Sequence, residues 1–336
     1  MTFPTDRSLV IAHRGASGYR PEHSRSAVEL AIEQGADAIE PDLVATRDGV
    51  LVVRHDNELS TTTDVAAHPR FLGRRRTAVV DGQRLTGWFT EDFTWSELSM
   101  LRVRERMPRV RLGNVAYDGR EPILSLDDLL RIIRPHRVLL VAELKHAAHF
   151  ESIGLPLDRL LLEQLGDFPR ERTIVESFEL TVLRQLTLVG FDSRMVYLID
   201  AEGAPADRPG DTFADALTPA GLAELAREVH AISVDSSLVF TTDVRGRPAA
   251  TDLVDRAHSA NLSIFTWTLR AENRFLLPAH RLPGSPIAFG DWRREFARIF
   301  ATGVDGVFAD QPDLALAARD GGTDGGTDGG IVGGRA

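Results

Sequence analysis

Short apolar runs and amphipathic stretches alternate along the chain. "LVIAH" (residues 9–13) has the length and β-branched content of a buried strand. "SRSAVELAIEQG" (24–35) spaces its apolar residues for a helix, with Ser24 placed to cap it and Gly35 to stop it. "DAIEPDLV" (37–44) and "VLVVRHD" (50–56) predict strands on either side of the turn "TRDG". Residues 125–133 predict a helix capped by Ser125, and "RVLLVAELK" (137–145) an apolar strand that ends in charge.

The alternation continues. "RTIVESF", "RMVYLI", "HAISVD", "LSIFTWTL" and "VDGVFAD" predict strands, and "ELTVLRQLTLVG", "TPAGLAELAREV", "ATDLVDRAHSAN" and "DWRREFARIFATG" predict helices. Strands that alternate with helices favour a parallel sheet. About eight such units favour an α/β fold of the closed (β/α)8 TIM-barrel type over an open sheet. The absence of a GxGxxG after the first strand counts further against a dinucleotide-binding sheet.

Two segments break the rhythm. Residues 57–122 gather Thr, Arg and Gly clusters with Trp88, Phe89 and Trp95. That is too long for a bare loop, so a small insertion subdomain is expected on the barrel mouth, after the second strand region. The expected barrel domain spans 8–317. Residues 318–336, rich in Gly, Asp and Thr, predict a flexible tail with too little apolar surface to order itself.

Composition narrows the function. The chain has 336 residues, 43% of them hydrophobic, and a formal net charge of -10. That charge argues against nucleic acid as a partner, which needs a basic footprint. It also argues against adhesion to anionic membranes. There is no cysteine, which excludes disulfides, thiolate zinc sites and a thiol nucleophile. The N-terminal apolar run is only four residues, too short for a signal-peptide core, and no run is long enough for a transmembrane segment. A cytoplasmic location is therefore expected, with periplasmic or secreted placement less so. A homo-oligomer stays open.

Barrel enzymes carry their chemistry at the C-terminal ends of strands. Here those ends hold His13-Arg14, then Glu40 and Asp42 at i and i+2, then His55-Asp56, then Glu143 and Lys145 at i and i+2. Residues two apart on a strand face the same side. Three carboxylates on one mouth repel each other unless a cation sits between them, and oxygen-only ligation suits one divalent ion such as Ca²⁺ or Mg²⁺. Arg14 and Lys145 are then placed to hold phosphate oxygens, and His13 and His55 to exchange protons. Together these are the parts for phosphodiester cleavage.

The stretches "HRGASGYRPEHSRSA", "GADAIEPDLVATRDGVLVVRHDNELSTTTDV" and "AELK", with "SFE", "WTL" and "GVDGVFADQPD", resemble the glycerophosphodiester phosphodiesterase family. The "PEH" form is similar to the branch that includes a bacterial periplasmic enzyme. The resemblance implies Glu40, Asp42 and Glu143 as metal ligands and His13 and His55 as the acid/base pair. It implies Arg14 and Lys145 as phosphate-holding cations. It places Glu22 as a brace for Arg14 or the metal shell, and Phe178 and Trp267 at the mouth. Ser24 departs from the family's usual threonine.

The expected reaction is hydrolysis of a glycerophosphodiester to sn-glycerol 3-phosphate and an alcohol, through a cyclic phosphate formed by the neighbouring glycerol hydroxyl. The insertion is expected to shape the alcohol-side pocket, and Arg74-Arg75-Arg76 within it is expected to be a solvated face, with contact to an anionic substrate as the alternative. Three rivals are a lysophospholipase D-type activity, a non-catalytic sugar-phosphate-binding barrel, and an aldolase using Lys145. The first lacks a clear amphipathic surface helix. The second leaves both histidines and all three carboxylates without a role. The third would need a depressed lysine pKa beside carboxylates that favour the charged form.

Overall fold

The computed structural model describes residues 7–321. Its strands are β1 (Leu9–His13), β2 (Ala38–Glu40), β3 (Asp42–Ala45), β4 (Leu51–Val53), β5 (Arg76–Val80), β6 (Gln83–Gly87) and β7 (Leu139–Leu144). They continue with β8 (Thr173–Ser177), β9 (Arg194–Ile199), β10 (Ala231–Asp235), β11 (Phe240–Thr242), β12 (Pro248–Ala250), β13 (Ser263–Leu269) and β14 (Gly306–Ala309). β1 pairs in parallel with β14 on one side and β2 on the other, and parallel pairing then runs through β7, β8, β9, β10 and β13 back to β14. β2 and β3 share one place in the ring, and both meet β7. The result is a closed eight-stranded parallel barrel with helices between its strands.

Two strand expectations need correction. The stretch 37–44 is one strand interrupted at Pro41, which has no N–H to give to the ladder. The stretch 50–56 is a strand only over Leu51–Val53, and it runs antiparallel to β3, outside the ring. A tight connection between strands permits only antiparallel pairing, because a parallel return needs a long crossover. His55 therefore sits on the loop after β4, not at the end of a barrel strand.

The helices follow their capping chemistry. Ser24 Oγ accepts from the N–H of Ala27 at the start of helix Arg25–Glu33, and Gly35 follows at φ 86°. Ser125 and Asp128 form a reciprocal capping box on helix Leu126–Ile133. Helix Leu157–Leu165, not expected from the sequence reading, fills the crossover between β7 and β8. The last helix, Pro312–Asp320, runs past residue 318, and residues 322–336 of the expected tail fall outside the described residues. No helix of the described residues is long and apolar enough to cross a membrane.

Residues 57–122 form 3-10 turns, a short helix Trp95–Leu98 and the hairpin β5–β6. Trp88, Phe71, Phe89 and Phe93 are buried there. Arg74 pairs with Glu97, and Arg76 with Glu91 and Asp92, so these arginines serve the segment's own packing. At the hairpin turn, Asp81 meets His146 Nδ1 at 2.5 Å, beside the loop that follows β7.

Two apolar layers form the core. The larger lies between the barrel and its helices. The smaller plugs the barrel interior with Leu9, Ile11, Ala38, Val141, Ile174, Val196, Ala231, Phe265 and Phe308. Strand side chains alternate between faces, so on most strands the residue two positions after the upper plug residue lies toward the barrel mouth. Ile11 leads to His13, Ala38 to Glu40, Val141 to Glu143, Ile174 to Glu176, Phe265 to Trp267 and Phe308 to Asp310.

Candidate active site

A cavity of about 300 Å³ opens at that mouth. His13, Arg14, Glu40, His55, Glu143, Lys145, Phe178 and Trp267 all line it. Asp42 sits just behind, completely buried. Glu22 lies farther back and grips Arg14, its Oε2 accepting from Arg14 Nη1 at 3.0 Å. Phe178 and Trp267 meet edge to face, ring centres 5.7 Å apart, as an aromatic wall. Every site residue singled out in the sequence is thus in this cavity or in direct contact with a residue that lines it.

The turn after β1 is what brings His13 and Arg14 forward. Arg14 takes φ 60° and Gly15 φ 80°. A Cβ on Gly15 would stand 2.7 Å from the carbonyl carbon of Ala27, so only glycine lets the turn tuck under helix Arg25–Glu33. His23 is also left-handed, and its N–H closes back on the carbonyl of Arg14 at 3.0 Å. Left-handed non-glycine residues cost about 1–2 kcal/mol each, and here two flank the same site.

Both histidines share one wiring. His13 Nδ1 is 2.6 Å from Asp310 Oδ1, and His55 Nδ1 is 2.6 Å from Asp56 Oδ1. Burial, reinforced by Arg14, lowers His13 to about 4 despite the pull of Asp310. Burial, then Arg14 and Lys145, lowers His55 to about 3. Both rings are therefore neutral near pH 7. A neutral ring that donates from Nδ1 keeps Nε2 as an acceptor.

Glu40, Asp42 and Glu143 bring carboxylate oxygens within 4.8 Å of one another. Glu40 Oε2 accepts from the N–H of Arg14 at 2.9 Å, and Asp42 Oδ2 contacts His23 Nε2 at 2.8 Å. Glu143 Oε1 accepts from Lys145 Nζ at 2.8 Å. Glu40 Oε1 and Asp42 Oδ1 are buried with no hydrogen-bond partner. Burial drives Glu143 up to about 8 against the pull of Lys145, with Asp42 adding to the push. Burial and the charges of Asp42, Glu176 and Glu143 also raise Glu40. Orphaned buried oxygens on crowded carboxylates are what a hard divalent cation would satisfy, so the donor set fits one. Burial opposes the charge on Lys145, but Glu143 and Asp42 outweigh it and raise its pKa, the reverse of what an amine nucleophile needs.

Several residues escaped the sequence reading. Asp310 and Glu176 each stand two positions beyond a plug residue on a barrel strand, so continuing the alternation would have found them. Glu176 lines the cavity, and its Oε2 has no hydrogen-bond partner. Asp56, read only as the neighbour of His55, is that ring's partner. Arg270 lines the cavity and donates from Nε to Asp310 Oδ2 at 2.8 Å. Arg106 and Arg111, from the insertion, reach the carboxylates behind both histidines.

Known proteins place this geometry in a lineage. Residues 13–314 match the glycerophosphoryl diester phosphodiesterase family. A glycerophosphodiester phosphodiesterase of Arabidopsis thaliana is 32% identical over 91% of this chain and 84% of its own length. A glycerophosphodiester phosphodiesterase of Haemophilus influenzae is 26% identical over 92% of this chain and 88% of its own. Among solved structures, a Silicibacter pomeroyi protein described as a glycerophosphoryl diester phosphodiesterase shares the fold with a TM-score of 0.67 and 23% identity, covering 94% of each chain. An Oleispira antarctica phosphodiesterase, solved in complex with the product sn-glycerol-3-phosphate, shares it with a TM-score of 0.61 and 20% identity over 93% of this chain and 96% of its own. With the match running from the first histidine to the start of the last helix, this chain belongs to the glycerophosphoryl diester phosphodiesterase family.

Proposed function

We propose that the protein hydrolyses glycerophosphodiesters to sn-glycerol 3-phosphate and an alcohol, using His13 and His55 as its proton-transfer pair. The observation that carries this reading is the matched wiring of the two histidines: each is tied at Nδ1 to a carboxylate, beside Arg14 and Lys145 in one cavity. Family membership and the product named for the Oleispira antarctica relative support it.

Arg14 and Lys145 receive the phosphate, the arginine as a fork oriented by Glu22 and the lysine as a point charge. Glu40, Asp42 and Glu143 would hold a Ca²⁺ or Mg²⁺ ion, which when bound supplies Lewis-acid neutralisation of phosphate charge. One histidine takes the proton of the glycerol hydroxyl next to the phosphoester. That oxygen attacks phosphorus, the bond to the departing alcohol breaks, and the other histidine gives its proton to the leaving oxygen. The incoming phosphate charge favours the protonated form of the ring that must act as acid. A five-membered cyclic phosphate results. The rings then exchange roles while water opens it to sn-glycerol 3-phosphate. Phe178 and Trp267 provide an apolar wall against which the carbon skeleton packs.

The test offers purified protein glycerophosphocholine, glycerophosphoethanolamine and a lysophospholipid, with added Mg²⁺ or Ca²⁺ and with chelator. The expected result is glycerol 3-phosphate from the two water-soluble diesters, lost with chelator and restored by the cation. Absence of release from both diesters in the presence of either cation contradicts the proposal, and choline release from the lysophospholipid alone would favour the lipid substrate instead.

A further inference from the structure

We infer that residues 104–114 of the insertion act as a strap that positions both histidines, through Arg106 and Arg111. The inference rests on the proposed proton-transfer roles of His13 and His55. It assigns to the insertion a part in the chemistry beyond shaping a pocket wall.

Each arginine holds the far oxygen of a carboxylate whose near oxygen holds a histidine. Arg111 Nη2 donates to Asp310 Oδ2 at 2.5 Å, while Asp310 Oδ1 faces His13 Nδ1. Arg106 Nη2 donates to Asp56 Oδ2 at 2.7 Å, while Asp56 Oδ1 faces His55 Nδ1. Only five positions separate the two arginines, yet they reach both couples.

The strap is itself held firmly. Arg111 is buried and donates from its other two nitrogens to Glu272 Oε1 at 2.8 Å and the carbonyl of Ser17 at 3.0 Å. Asn114 Nδ2 reaches the same carbonyl at 3.1 Å and Glu105 Oε2 at 2.8 Å. Arg106 grips both oxygens of Glu22 at 2.7 Å, and Glu22 in turn orients Arg14. A buried carboxylate holds its charge and its place only when paired. Without Arg111, Asp310 keeps Arg270 as its remaining side-chain cation. Among the described residues, Asp56 makes its arginine ion pair with Arg106, and buried Arg54 adds only a longer-range attraction. The strap is thus more critical on the His55 side.

The two histidines divide base and acid roles, which gives the strap a signature that general stabilisation lacks. Arg106→Met and Arg111→Met are compared with their lysine counterparts on glycerophosphocholine and on a glycerophosphodiester of 4-nitrophenol, a leaving group that needs no proton. Arg111→Met should lower kcat about 10- to 100-fold with KM little changed, as is typical when a partner that orients an active-site histidine is removed. Arg106→Met should lower kcat at least as much and also raise KM, because it releases Glu22 and Arg14. On the nitrophenyl ester, single-turnover nitrophenolate release reports the first step alone, and there the loss should vanish in one methionine variant and persist in the other. Should a methionine variant not fold, its lysine counterpart, which keeps the charge but loses the fork, should show a smaller loss with the same selectivity.

Wild-type kcat in both variants, or equal losses on both substrates, would overturn the inference. Imidazole Nδ1–H resonances judge the strap without turnover: Arg111→Met should move the His13 signal and spare that of His55, and Arg106→Met the converse. Unmoved signals also overturn it. If instead His13→Ala and His55→Ala keep normal turnover, the histidine roles fail while the resonances still report on the strap.

Discussion

A neutral imidazole whose Nδ1 faces an ionised carboxylate donates there and has one task left for Nε2, and His13 and His55 face such partners in Asp310 and Asp56, both held below the usual carboxylate range by neighbouring cations. The same two-sided use recurs in Arg14, whose backbone N–H holds Glu40 while its guanidinium is held by Glu22. Side chains restrained this way lose little freedom when substrate arrives. His13→Ala and His55→Ala should each lose at least about 100-fold in kcat, the usual share of a general acid or base. Steady-state rates on glycerophosphocholine check this, and near-normal turnover in either variant would remove that residue from its role. At this scale the sequence was legible wherever a side chain sits at a strand end, as with His13, Glu143 and Lys145. Asp310 and Glu176 obey the same alternation but were overlooked. Arg111 was not legible at all, because its meaning depends on Asp310, a residue 199 positions away.

Among elements, the first turn and the helix behind it matter most to the site. Ser24 caps that helix, and Gly15 lets the histidine-bearing turn approach its backbone. Ser24→Ala should cost about 1 kcal/mol of stability, the usual worth of such a cap. Gly15→Ala should cost more, since it adds a steric clash to a left-handed backbone position. Denaturant unfolding of both variants measures this, and a Gly15→Ala protein as stable as the parent would refute the packing account. Ser24 and Ser125 were legible as caps because capping is local chemistry. The antiparallel course of β4 was misread. Periodicity reports which face a side chain takes but not the direction of the neighbouring strand, and only the shortness of the "TRDG" turn carries that information.

For the whole molecule, the barrel converts a linear alternation into a cavity. One set of inward columns supplies an apolar plug, and the next layer up lines the cavity with charged and imidazole side chains. The chain's net charge is -10, and at the mouth Arg14, Lys145 and Arg270 stand among Glu40, Glu143, Glu176 and Asp235, so an anionic diester would need a bound cation to offset those carboxylates. The count of alternating units made the barrel legible. The anchoring of the insertion to the mouth was not, since it depends on ion pairs between segments far apart in the chain. The central claim is cleavage by the substrate's own hydroxyl in this cavity. Its most direct measurement follows glycerophosphocholine and its 2-deoxy analogue by phosphorus NMR, each with wild-type protein and added cation. The account predicts conversion of glycerophosphocholine to sn-glycerol 3-phosphate and no turnover of the analogue. An unchanged glycerophosphocholine signal, or an analogue hydrolysed as fast as its parent, would contradict it.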